Sequence, residues 1–106
     1  MREPTYFILL SLLGGRLHGY GIAKRSEELS DGRVRLAAGT LYGALDRLTE
    51  QGLVTVDGEE HVEGRKRRYY AITESGRTDV MAEVARLEAS VAAAQTVITG
   101  GSAVSS

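Results

Sequence analysis

Around Gly52 the chain trades one backbone period for another, and this junction limits what it can fold into more than any other feature. Leu41, Leu45 and Leu48 follow an i, i+4, i+7 spacing that marks one buried helix face over Ala37–Gln51. Gly52 stands where a left-handed C-terminal cap is wanted. Directly beyond it, Leu53–Val56 is built of β-formers, and Lys66–Ile72 reads as a second strand through Tyr69, Tyr70 and Ile72. A polar, glycine-bounded stretch, Asp57–Gly64, separates the two, which predicts a two-stranded ribbon with a long tip.

Two shorter helices are predicted before this junction. Tyr6–Leu13 is apolar at every position but Ser11, with Pro4 suited to the first turn and Gly14-Gly15 as a stop. A helix greasy on all sides asks for more cover than one small domain offers, which predicts a second chain. Gly19–Leu29 follows, with Ile22, Ser26 and Leu29 on one face and Asp31-Gly32 ending it. After the ribbon, Thr73 is a candidate N-cap and Glu74 adds charge to the first turn of a last helix. There Val80, Val84, Leu87, Val91, Ala94 and Ile98 alternate steps of four and three, the spacing of a coiled-coil seam. The stripe either pairs with a second copy or folds back on its own domain.

Helix, helix, helix, ribbon and long helix predict a mainly α fold with a small β-hairpin: a winged helix-turn-helix over 1–72, a dimerisation helix over 73–99, and a flexible tail over 100–106. The 106 residues suffice for one compact unit. No cysteine is present, so disulfides and thiolate chemistry are excluded. The longest apolar run, Tyr6–Leu10, is far short of the roughly 20 residues of a membrane span, and no signal-peptide pattern precedes it. A soluble, cytoplasmic chain without cofactor or metal is expected.

The formal charge of −1 does not announce a nucleic-acid partner, so that function has to come from clustering. On the third helix Gly39, Gly43, Asp46 and Glu50 point outward, with Tyr42 and Arg47 on the flanks. Two glycines on one exposed helix face cost about 1 kcal/mol each, and close approach to a groove in double-stranded DNA accounts for them. Thr40 and Tyr42 carry hydroxyls for phosphate oxygens, and Arg47 reaches phosphate or a guanine edge. The competing reading has Tyr42 packed on the domain edge and Arg47 paired with Asp46 or Glu50. Arg65-Lys66-Arg67-Arg68 gathers four of the thirteen cations at the second strand. Side-chain alternation makes Arg65 and Arg67 the freer phosphate ligands, leaves Lys66 free near the strand start, and lets Arg68 cover the core with its stem.

His18-Gly19-Tyr20-Gly21-Ile22, Gly39-Thr40-Leu41-Tyr42 through Leu48, Gly52-Leu53-Val54 and Arg68-Tyr69-Tyr70 through Thr73 together resemble the PadR-like transcriptional regulators. The resemblance implies a bacterial repressor, dimeric through its C-terminal helix, with Thr40, Tyr42 and the wing cations on a pseudo-palindromic operator. It also implies a flat aromatic effector at the dimer interface, for which Tyr6, Leu9, Leu13, Val84, Leu87 and Val91 are candidates. The sequence departs from the family where Gly43 replaces a frequent proline and Ala38 a serine-type cap. It also has no tryptophan to stack on an effector, as one group of the family does. Two other functions compete. Catalysis finds little footing, since His18 and His61 lie in separate elements without partners at ligand spacing. A winged helix serving protein contact, its cations facing an acidic partner, is the stronger competitor.

Overall fold

In a computed structural model, residues 1–104 are described, with side chains through Gly100, so the tail expected over 100–106 reaches beyond them. The element order is α1 (Glu3–Leu12), β1 (Leu17–His18), α2 (Gly19–Leu29), α3 (Ala38–Glu50), β2 (Val54–Val62), β3 (Arg65–Ile72) and α4 (Glu74–Val104). The strands form one antiparallel sheet in the order β1-β3-β2.

α1 is central. Phe7, Ile8, Leu9, Ser11 and Leu12 are buried inside this chain, leaving Tyr6, Leu10 and Leu13 half-covered. Most of the apolar surface that predicted a second chain is therefore consumed by α2, α4 and β3 of the same domain. Buried Ser11 meets its own hydrogen-bond need by donating to the Ile8 carbonyl at 2.6 Å. The remaining core comes from Ile22, from Leu41, Ala44, Leu45 and Leu48 on one face of α3, and from Val54, Tyr70 and Val80. Leu29, expected on the buried face of α2, is 38% exposed, because the last turn directs its buried arc to Ser30 instead.

Each boundary has a local cause. α3 ends in a double bond pattern: the Gly52 amide donates to Thr49 and the Leu53 amide to Leu48, with Gly52 at φ +75°. Its N-cap is Ala37, which offers no side-chain oxygen, so the start of α3 lacks the side-chain cap of α2 and α4. At α4, Thr73 Oγ1 accepts from the Gly76 amide at 3.0 Å and donates to the Gly52 carbonyl at 2.6 Å. One hydroxyl thus caps α4 and ties it to the end of α3. Gly76 must be a glycine, because a Cβ there would collide with the Leu53 carbonyl. Thr73→Ala removes both bonds at once, and urea unfolding is expected to show a loss of about 1–2 kcal/mol.

The ribbon differs from its sequence-based outline in two ways. The polar Asp57–Gly64 stretch is mostly strand, and only Glu63-Gly64 form the turn, both at positive φ (54° and 76°), as two-residue hairpin turns require. Opposite charges line the polar part of the ladder, where Glu59 stands opposite Arg68 and Glu60 opposite Arg67. The second difference is β1, which pairs Leu17 with Tyr70 and His18 with Tyr69, adding a third strand.

α4 spans 31 residues, and the whole molecule measures 69 × 27 × 21 Å. Val80 and Glu83 are buried against the body, and Val84 and Leu87 are half-buried. Arg86 grips Glu83 through two hydrogen bonds of 2.6 and 3.0 Å, which holds the carboxyl below its ordinary pKa and raises that of the guanidinium. From Glu88 to Thr99 every residue is exposed.

Candidate nucleic-acid interface

The outer face of α3 is bare. A Cβ added at Gly39 or Gly43 would meet nothing within 4 Å, so neither glycine is demanded by packing inside the chain. The opposite holds for Gly19 at the start of α2, where a Cβ would collide with the ring and hydroxyl of Tyr42. Gly19 therefore lets Tyr42 lie across the beginning of α2, and the two sequence motifs interlock through that contact. Tyr42 keeps 45% of its surface exposed, half packed on the domain edge and half presented outward.

Its neighbours are set by the α2 cap. His18 Nδ1 accepts from the Gly21 amide at 3.2 Å, which requires the neutral ring. Partial burial and the nearby Arg67 lower the His18 pKa, against an opposing pull from Glu60, and so preserve that acceptor. The ring stacks on Tyr20, which is 72% exposed, and meets Tyr69 edge-on at 5.7 Å. Tyr69 donates to Glu60 at 2.8 Å, and this hydrogen bond raises its pKa.

Between α3 and the wing lies an open cleft of about 930 Å³, lined by Tyr42 and Asp46, by His18, Gly19 and Tyr20, and by the wing cations Arg65 to Arg68. Arg65 and Arg67 form no ion pair among the described residues. Lys66, expected to be free, is paired with Glu59 at 3.3 Å, and Arg68 reaches the same carboxylate at 3.6 Å. Thr40 and Arg47 sit on the other flank of α3 beside Arg2 and Thr5, where Arg47 donates to Thr5 Oγ1 at 3.3 Å rather than pairing with Asp46 or Glu50. The candidates on α3 thus divide between two sides of one exposed ridge. His18, Tyr20, Glu59 and Arg16 were not among the candidates. The placement of His18 depends on the pairing of β1 with β3, which a two-residue strand does not announce, and that of Glu59 on a register shift between β2 and β3.

Residues 8–82 match the Transcriptional regulator PadR-like family. The chain belongs to that family. It is 37% identical over 81 residues to the transcriptional regulator Rv3488 of Mycobacterium tuberculosis, covering 76% of this chain and 72% of that protein. Among solved structures, a transcriptional regulator from Clostridium thermocellum, Cth-833, is 27% identical, with a TM-score of 0.70 over 91% of this chain and 89% of that one. Bacillus subtilis PadR, solved in complex with operator DNA, is 25% identical, with a TM-score of 0.69 over 78% of this chain and 48% of that chain. As a PadR-like transcriptional regulator, the chain presents a winged helix whose bare helix and basic wing border one cleft. Among the described residues no helix is long and apolar enough to cross a membrane.

The residues expected at a dimer or effector interface are placed unevenly. Leu9 is fully buried in this chain's own core and has no surface to offer, because α1 packs on three elements of its own domain. Tyr6, Leu13, Val84 and Leu87 are half-buried, and Val91 is 55% exposed.

Proposed function

We propose that this PadR-like regulator acts in the cytoplasm as a homodimeric repressor that grips a pseudo-palindromic operator and leaves it when a small aromatic or hydrophobic effector binds. The observation that carries the reading is the shared cleft, in which Arg65 and Arg67, free of ion pairs among the described residues, face the same opening as Tyr42 on the glycine-bared helix. α3 enters the major groove with Gly39 and Gly43 allowing close approach. Tyr42 and the wing hold phosphates on one side, and Thr40 and Arg47 hold them on the other. That B. subtilis PadR, a structural neighbour, is solved in complex with operator DNA supports an operator as the partner.

Dimerisation through α4 sets two reading heads about 34 Å apart or a multiple of it. In this reading Tyr6, Leu13, Val84, Leu87 and Val91 line the effector site, and regulation needs only that the effector favour a different head spacing. The test is a salt titration of duplex binding. Affinity is expected to fall steeply with salt, by about 0.9 in log–log slope per phosphate engaged. Salt-insensitive or absent duplex binding would leave the wing to an acidic protein partner. Titrating aromatic acids against the bound operator then checks release.

A further inference from the structure

Along the ribbon, Val56 stands opposite Tyr70 and Glu59 opposite Arg68, so three steps on β2 match two on β3. One extra residue in a strand reverses which face every later side chain takes. In an unbroken ladder Gly58 would stand opposite Arg68, and Glu59 would share a face with Arg67. The bulge instead puts the Glu59 carboxylate between two cations, with Oε2 3.3 Å from Lys66 Nζ and Oε1 3.6 Å from Arg68 Nε.

The bulge is held from outside the ribbon. Gly58 adopts φ +111°, and Arg16, from the loop before β1, donates to the Asp57 carbonyl at 2.7 Å while its guanidinium lies 4.6 Å from the centre of the Tyr69 ring. A Cβ at Gly58 would come within 2.8 Å of Arg16 Nη1, so the glycine makes room for this clamp. The arrangement that aims Glu59 is thus built from three separate segments of the chain.

The side chains of Lys66, Arg68 and Glu59 retain 58%, 49% and 38% of their exposure, and exposed pairs of this kind add little to folding. Their geometry is that of a phosphate held by two cations, with a carboxylate in the anion's place. We propose that Glu59 is an internal phosphate surrogate that sets how strongly the wing holds duplex DNA regardless of sequence. This rests on the DNA-binding reading above. For a DNA phosphate to engage Lys66 or Arg68 it must displace Glu59, which then remains as an unpaired anion beside the backbone. Arg65 and Arg67 carry no such partner and act without that competition. Glu59 therefore weakens the electrostatic part of binding that every duplex shares, while contacts from α3 to base edges are untouched.

The experiment compares wild type, Glu59→Gln and Glu88→Gln on a random-sequence duplex by fluorescence anisotropy, titrating salt from about 50 to 200 mM. Glu88 lies on α4, and its substitution changes the net charge equally. Glu59→Gln is expected to bind about fivefold or more tightly at low salt, with a slope steeper by up to about 1.8 per subunit. Glu88→Gln is expected to stay within about twofold of wild type, since Glu88 lies on α4 outside the ribbon and forms no ion pair with the wing cations among the described residues. The thermal midpoint of Glu59→Gln should remain within about 2 °C of wild type. Equal gains from both variants would reduce the effect to net charge and overturn the proposal. A lower midpoint would make Glu59 a structural residue, with the same consequence. If wild type binds steeply and Glu59→Gln matches it, the surrogate fails and the DNA-binding reading stands. If wild type binds no duplex, both fall together.

Discussion

Arg65→Ala/Arg67→Ala is expected to lower operator affinity about a thousandfold or more at ~0.1 M salt, with the fold intact. Both guanidinium groups lie on the exposed strand that borders the α3 cleft, and neither is occupied by a carboxylate among the described residues. In the proposed dimer the double variant would lose four phosphate contacts, and at about 0.9 in slope per contact log K against log salt is expected to become shallower by about 3.6. Random duplex should lose affinity by a similar factor, because phosphate contacts carry no sequence information. The thermal midpoint is expected to hold within a few degrees, since neither side chain covers the core. An unchanged slope in the double variant would remove the wing from the interface. By contrast, Arg47→Ala acts from the other flank of α3, where Arg47 donates to Thr5.

What could be read from the sequence, and what could not, follows from the range of the interactions involved. α3 was legible because Leu41, Leu45, Leu48 and Gly52 are set by one helix and its own C-cap, with no distant partner required. The Thr73 cap was legible for the same reason, although its second bond, to Gly52, was not. β1 escaped because two residues carry no period, and its existence depends on Tyr69 and Tyr70 some fifty residues away. The extension of β2 beyond Val56 is not legible because Asp57 to Glu60 lack β-formers, and their place in the strand comes from backbone pairing with β3 across a bulge. The same bulge decided Lys66, since a one-residue change in parity turned Glu59 toward it. For α1 the difference runs the other way: its all-round apolarity reads as a demand for a second chain, yet α2, α4 and β3 of its own domain cover most of it.

On the dimer proposed above, the contact lies further along, on α4, and Leu87→Glu/Val91→Glu is expected to abolish both that contact and tight operator binding. From Glu88 to Thr99 no residue of this helix is covered by its own domain, although Val91, Val97 and Ile98 are 55%, 72% and 79% exposed. A lone helical extension of that length is marginal in water, so packing has to supply its stability. The steps from Val84 through Leu87, Val91 and Ala94 to Ile98 give a continuous seam for a second copy of the same helix. Two glutamates per chain put four carboxylates into that seam, and light scattering at micromolar concentration should fall from twice the 11.4 kDa chain mass to the chain mass itself. Val80 and Glu83 anchor α4 to the body one turn or more before the substitutions, so the head should keep its own unfolding transition. With the heads uncoupled, the second half-site is no longer bound at high effective concentration, and operator affinity should drop about 10²- to 10⁴-fold. Binding to an isolated half-site should change little, since Tyr42, Arg65 and Arg67 are untouched. A double variant that stays dimeric would move the dimer contact off this helix, and a wild-type chain that is monomeric at micromolar concentration would remove the dimer itself; either undoes the predicted spacing of the two heads.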